Sequence, residues 1–156
     1  MSYLLDTVKN KFPDAVLDTH DFRGDETVII QKASLKEAAA FLKEDLGFDF
    51  LMDLTAVDYL PREPRFELVC HFYSSKHNYR LRLKCPIEGA DAQAPSLTPL
   101  WAGANWFERE VYDMFGIRFE GHPDLRRILM FDGFEGHPLR KDYPLKKRQP
   151  RITHRD

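Results

Sequence analysis

Residues 66–85 read FELVCHFYSSKHNYRLRLKC, and this stretch decides the fold. Its second half alternates strictly: Tyr79, Leu81 and Leu83 point one way, while Arg80, Arg82 and Lys84 point the other. Such a period of two describes a strand with one face in a core and one in water. The first half, from Phe66 to Ser74, is apolar and β-branched or aromatic enough to pair with it. Ser75-Lys76-His77-Asn78 supplies the turn, so the two halves form an antiparallel hairpin. Upstream, residues 48–59 alternate imperfectly as a further half-buried strand. Residues 15–22 and 26–33 form another hairpin around Arg23-Gly24-Asp25, which in this setting is a turn signal and not an adhesion motif.

Three helices are expected between and beyond the strands. Residues 2–12 carry Tyr3, Leu4, Leu5, Val8 and Phe12 at helical spacing and stop before Pro13. Residues 35–46 follow Ser34-Leu35-Lys36-Glu37, a capping-box pattern, and end at Gly47. Residues 104–115 place Phe107, Val111, Met114 and Phe115 on one face and end at Gly116. Mixed strands and helices with frequent hairpins argue for an α+β fold: a two-layer domain, a mostly antiparallel mixed sheet with helices packed on one face. The domain is expected over residues 1–136, with an extended basic C-terminal tail over 137–156.

Composition narrows the function. The chain has 156 residues, of which 43% are hydrophobic, with 12 Phe, 6 Tyr and 2 Trp to fill one core. No signal segment and no apolar run of bilayer length is expected, which points to a protein without a membrane span, in the cytoplasm. Net charge is −2, but it is divided. Residues 137–156 hold seven cations against two carboxylates, so an acidic body precedes a basic tail. That body would repel phosphate, and Tyr143 is the tail's one aromatic ring, so nucleic acid is not an expected partner. Cys70 and Cys85 sit in strands, where they could face each other; they are expected as buried thiols, neither a disulfide nor a metal site.

The residues with the most chemistry lie between Glu108 and Pro144. The last helix bears Glu108, Arg109, Glu110 and Asp113 opposite its apolar stripe. Arg109 and Asp113 are spaced to pair at i, i+4, and Glu110 and Asp113 at i, i+3. Two carboxylates of this kind suit acid–base work or a hard cation only with further parts. A nucleophile elbow, a Glu-x-x-His pair and a glycine-rich phosphate cradle are all missing. Buried ion pairs or a protein interface are the simpler use of the same charges. His122-Pro123 and His137-Pro138 set backbone direction. Arg126, Arg127, Leu139, Arg140, Lys141 and Asp142 then alternate anchors with cations on a segment expected to lie on another protein rather than on its own domain.

These residues resemble a known family. EREVYDMFGIRFEGHPDLRRIL followed by FEGHPLRKDYPL is similar to the signature of the 30 kDa subunit of NADH-quinone oxidoreductase, respiratory complex I. The resemblance rests on Glu108, Arg109, Glu110, Asp113, His122, Arg126, His137, Pro138, Leu139, Arg140, Lys141 and Asp142. It implies a partner interface at those residues and no catalytic, cofactor or metal residue. It further implies a structural component of the hydrophilic arm, on the cytoplasmic side of the membrane, docked on the 49 kDa partner. FMN and iron–sulfur clusters would belong to partner subunits, as would the sites for NADH and quinone. The chain ends sooner after Tyr143-Pro144-Leu145 than the resemblance leads one to expect. Equivalent subunits of energy-converting hydrogenases and F420H2 dehydrogenases are the alternative.

Overall fold

In the computed structural model, described over residues 3–151, a five-stranded sheet is backed by three helices. Ser2 at the expected start of the first helix, and Arg155 and Asp156 of the basic tail, lie outside the described residues. The strands are β1 (Val16–Phe22), β2 (Asp25–Ile30), β3 (Phe50–Asp58), β4 (Phe66–Ser74) and β5 (Tyr79–Ile87), ordered β1-β2-β5-β4-β3. Pairing is antiparallel except between β2 and β5, which run parallel. The helices are α1 (Tyr3–Lys11), α2 (Leu35–Glu44) and α3 (Ala104–Phe115). Two short strands, β6 (Gln93–Pro95) and β7 (Arg118–Glu120), form a separate parallel ladder on either side of α3 in sequence. The α+β architecture read from the sequence is therefore the one observed.

Alternation decides which face is covered. Phe66, Leu68, Cys70 and Phe72 of β4 meet Leu81, Leu83, Cys85 and Ile87 of β5 in one core. Leu4, Leu5 and Val8 of α1, Leu35, Ala38, Ala39 and Leu42 of α2, and Val111, Met114 and Phe115 of α3 complete it. The opposite sheet face carries polar residues in register, Asp53 opposite His71 and His71 opposite Arg82. Lys84 reaches Glu67 on the neighbouring strand at 2.9 Å.

Three local details differ from expectation. The first hairpin turns on two residues, since Phe22 pairs with Asp25. Arg23 (φ 57°) and Gly24 (φ 88°) both take positive φ, as a twist-matched hairpin turn requires. The capping box at Ser34 does not form: a 3-10 turn over Lys32–Ser34 holds Ser34 at φ −99°, ψ 0° with no side-chain cap bond. A cap needs an extended backbone, and the preceding turn has already made Ser34 helical. Cys70 stands opposite Leu83 and Cys85 opposite Leu68, so the thiols do not face each other across the pairing. Both are free and buried, and burial pushes Cys85 up to about 12. The Ser96 and Thr98 hydroxyls lie 2.7 Å apart and bond each other.

Among the described residues, no helix is long and apolar enough to cross a membrane.

Candidate functional site

α3 is the axis of the charged motif, lying between β3 and the C-terminal segment. Gly116 ends it in the left-handed region (φ 74°), with its N–H on the Tyr112 carbonyl at 2.8 Å.

The motif's carboxylates point into the protein. Glu108 is fully buried. One oxygen accepts the Leu97 N–H at 2.6 Å, and the other lies 2.7 Å from the Ser96 hydroxyl. Burial outweighs these bonds and raises its pKa to about 7. Asp113 is also fully buried. Its Oδ2 accepts the N–H groups of Ile128, Leu129 and Met130 at 3.1, 2.8 and 2.9 Å, and Arg127 donates to Oδ1 at 2.8 Å. Burial works against this charge, but the three amides and the guanidinium outweigh it, so the carboxyl titrates below its ordinary range.

The i, i+4 pair expected between Arg109 and Asp113 is therefore not made. Arg109 donates instead to the carbonyls of Arg126 and Arg127 at 3.1 and 3.2 Å. Asp113 has turned inward, where backbone amides compete better for it than a half-exposed guanidinium. Glu110 is exposed while Asp113 is buried, so these two form no carboxylate pair.

The downstream residues hold to α3 in sequence. His122 Nε2 lies 3.3 Å from the Asn105 carbonyl, and Arg126 points out to solvent beside Asp124 at 2.9 Å. His137 Nδ1 lies 2.9 Å from the Asp113 carbonyl, the Leu139 N–H reaches that of Met114 at 3.1 Å, and Arg140 Nε donates to that of Phe115. These satisfy carbonyls at the helix end that have no partner within the helix. Pro138, half-buried, holds the chain straight between them. Burial, with the Arg140 and Arg127 charges, lowers the His137 pKa, which keeps the ring neutral at pH 7.

A second carboxylate fastens the end of this segment, and sequence reasoning missed it. Asp58, at the end of β3, accepts Arg65 Nε at 3.0 Å and Nη2 at 2.8 Å, the Leu60 N–H at 3.0 Å, and the Lys141 N–H at 2.8 Å. Arg65 also grips Asp142 with both terminal nitrogens, at 3.0 and 2.8 Å. Burial opposes the charge on Asp58, but these donors bring it down to about 2. Arg65 and Arg140 both lie over the Phe66 ring, at 4.8 and 5.5 Å. The available signal was an Asp closing an apolar strand and an Arg opening the next. The segment expected to lie off its own domain is thus tied to it, mainly by charge-assisted bonds.

Gly116 sits under this clasp. A Cβ there would approach Arg140 Nη2 and His137 Nε2 to 2.6 Å. Gly116→Ala is expected to destabilise the fold by about 1–3 kcal/mol, combining left-handed strain with displacement of both side chains. Thermal melting would show it, and an unchanged melting temperature would contradict the account.

A groove of about 650 Å³ lies among Leu17, Gln31, Lys32, Glu63, Pro64, Pro86, Glu88 and Ala90, with no motif residue in its lining. Among the described residues, no three His, Cys, Asp or Glu side chains are grouped to hold a metal ion.

The chain is similar to known proteins along most of its length. Residues 28–149 match the family described as "Respiratory-chain NADH dehydrogenase, 30 Kd subunit". The C-type subunit of NADH-quinone oxidoreductase from Citrifermentans bemidjiense is 50% identical over 139 residues, covering 89% of this chain and 86% of that one. Its counterpart from Geobacter sulfurreducens is 49% identical over 140 residues, again 89% of this chain and 86% of the other. Among solved structures, the trypsin-resistant fragment (1–134) of Nqo5 superposes with a TM-score of 0.70 at 36% identity, covering 78% of this chain and 96% of that one. A chain of the membrane-bound sulfane sulfur reductase, an archaeal respiratory membrane complex, gives 0.79 at 25% identity, covering 92% and 85%.

Proposed function

Because the chain belongs to the 30 kDa subunit family of respiratory-chain NADH dehydrogenase, we propose that it is a structural component of the hydrophilic arm of NADH:quinone oxidoreductase. In this reading it docks on the 49 kDa partner from the cytoplasmic side and holds no cofactor. As one member of that enzyme complex, it has the other subunits as partners; they carry the flavin and iron–sulfur clusters and bind NADH and quinone.

The observation that carries the reading is how the motif carboxylates are used. Asp113 and Asp58 each take four donors from their own chain, while Glu108 is sealed in the interior against Ser96 and Leu97. Carboxylates saturated or sealed in this way hold a shape and do not reach a substrate. The shape they hold is a segment strapped along α3, presented to the outside. Its likeness to the sulfane sulfur reductase chain supports an equivalent role in a related energy-converting hydrogenase or F420H2 dehydrogenase complex as a second reading. Identity of 47–50% to the NADH-quinone oxidoreductase relatives, against 25% to that chain, favours the first.

Affinity capture of the tagged chain from its own membranes tests this directly. The 49 kDa homologue and the flavin-bearing subunits are expected in the eluate, with NADH:quinone activity in the assembly and none in the purified chain alone. NADH-dependent quinone reduction by the isolated chain would refute the structural role.

A further inference from the structure

We infer that Trp106, Leu129 and Leu139, and not the motif charges between them, are the anchors that seat this chain in its partner. They would enter a protein surface of apolar sockets rimmed by carboxylates. The inference rests on the structural-component reading above and goes beyond it by naming the contact side chains and the chemistry facing them.

The first observation is exposure. Trp106, Leu129 and Leu139 are 60%, 56% and 53% exposed, whereas Glu108 and Asp113 are wholly buried and can touch no partner. Large apolar side chains left in water on this scale are stabilised when a partner covers them. Of the other exposed apolar residues, Tyr3, Leu17 and Phe22 precede residue 28, where the family match begins; Phe50 sits on the edge strand β3, and Leu145 lies past the Asp142 clasp, outside the stretch that the motif bonds hold.

The second is rigidity. Each of the three is held, at its backbone or against its ring, by a contact that the motif supplies. The Arg109 guanidinium lies 5.3 Å from the Trp106 ring centre, and Arg109 is itself locked by the Arg126 and Arg127 carbonyls. Leu129 donates its N–H to Asp113 Oδ2, and so do both its neighbours. Leu139 donates to the Met114 carbonyl, between His137 and Arg140, which bond the carbonyls on either side. The same bonds that hold the segment to its own domain also hold the backbone beneath these exposed apolar groups. This lowers the ordering entropy lost on binding, as anchors at the centre of an interface require.

The third is charge. Residues 122–151 hold eight cations against four carboxylates. Arg127 and Arg140 are tied inward, while Arg126, Lys141, Lys146 and Arg148 are exposed around the anchors. A complementary rim is acidic. An anionic lipid surface would also attract these cations, so the test must separate the two.

The full-length chain is co-expressed with the 49 kDa homologue, as wild type and as the triple variant Trp106→Ser, Leu129→Ser, Leu139→Ser. Because all three side chains are exposed, melting of the isolated variant is expected to match wild type. The co-purified partner is expected to fall roughly tenfold or more. Undiminished capture by a natively melting variant overturns the inference and leaves the structural-component reading intact. Should the triple variant melt low, the three single variants are read in the same way; full capture by all three overturns it equally. Failure of the wild type to capture the partner overturns the structural-component reading, and this inference with it. Vesicles of phosphatidylcholine and phosphatidylglycerol are expected to bind both proteins equally; loss of vesicle binding in the variant would overturn the choice of a protein partner.

Discussion

Asp113→Asn is expected to destabilise the protein by about 3 kcal/mol or more and to release the chain over residues 127–130. The carboxylate accepts four donors, three of them consecutive backbone amides. An asparagine offers one oxygen and a donor NH2, so either the amides or Arg127 must face another donor. Removing one member of a buried charged network costs about 3–5 kcal/mol, and the partial exposure of Arg127, 25%, argues for the lower end. Urea unfolding measures the first consequence. Hydrogen exchange at the amides of 128–130 measures the second, since these three protons lose their acceptor together. Wild-type protection at those positions would show that Asp113 does not hold the segment.

The same residue shows where sequence reading stops. The α3 helix, its end at Gly116 and the hairpin of residues 66–85 are legible because each depends on neighbours within a few residues: a 3.6 period, a left-handed glycine, a period of two. Asp113 was visible as a charge on that helix, and i, i+4 spacing assigned it to Arg109. Its actual donors come from 14 to 17 residues downstream, where no local rule reaches. Asp58 and Arg65 were missed for the same reason, as Arg65 meets Asp142 from 77 residues away. Ser34 failed more locally: the capping-box letters are present, but the 3-10 turn before them fixes the wrong backbone. The parallel pairing of β2 with β5 was likewise out of reach, because Thr27 meets Arg82 across 55 residues of chain. The motif letters were thus readable while their direction, into the protein, was not.

Glu108 gives the second large effect, and its sign runs opposite to that of Asp113. Its carboxyl is raised from 4.5 to about 7 in the folded protein, by burial first, against the opposing bonds from Ser96 and Leu97. Between those two values the folded state holds a proton that the unfolded state has released. Stability is therefore fully present below pH 4.5, falls as pH rises, and is lost once the pH passes about 7. Linkage sets the total at about 3 kcal/mol. Glu108→Gln keeps the size and both hydrogen-bonding partners while carrying no charge. The Gln variant is expected to gain stability over wild type at pH 8, to match it near pH 4.5, and to lose the slope between. The neutral carboxyl fits the geometry, since a proton on the oxygen 2.7 Å from Ser96 can be donated to that hydroxyl, which then donates to Thr98 at 2.7 Å. The Leu97 N–H, the carboxyl O–H and the Ser96 O–H then donate in one direction, whereas an ionised carboxylate there has two donors and no countercharge among its bonded partners. Denaturant melts of both proteins from pH 4.5 to 8 decide the matter. Parallel curves for wild type and Glu108→Gln would mean that the carboxyl ionises in the fold as freely as in water, and that burial does not govern it.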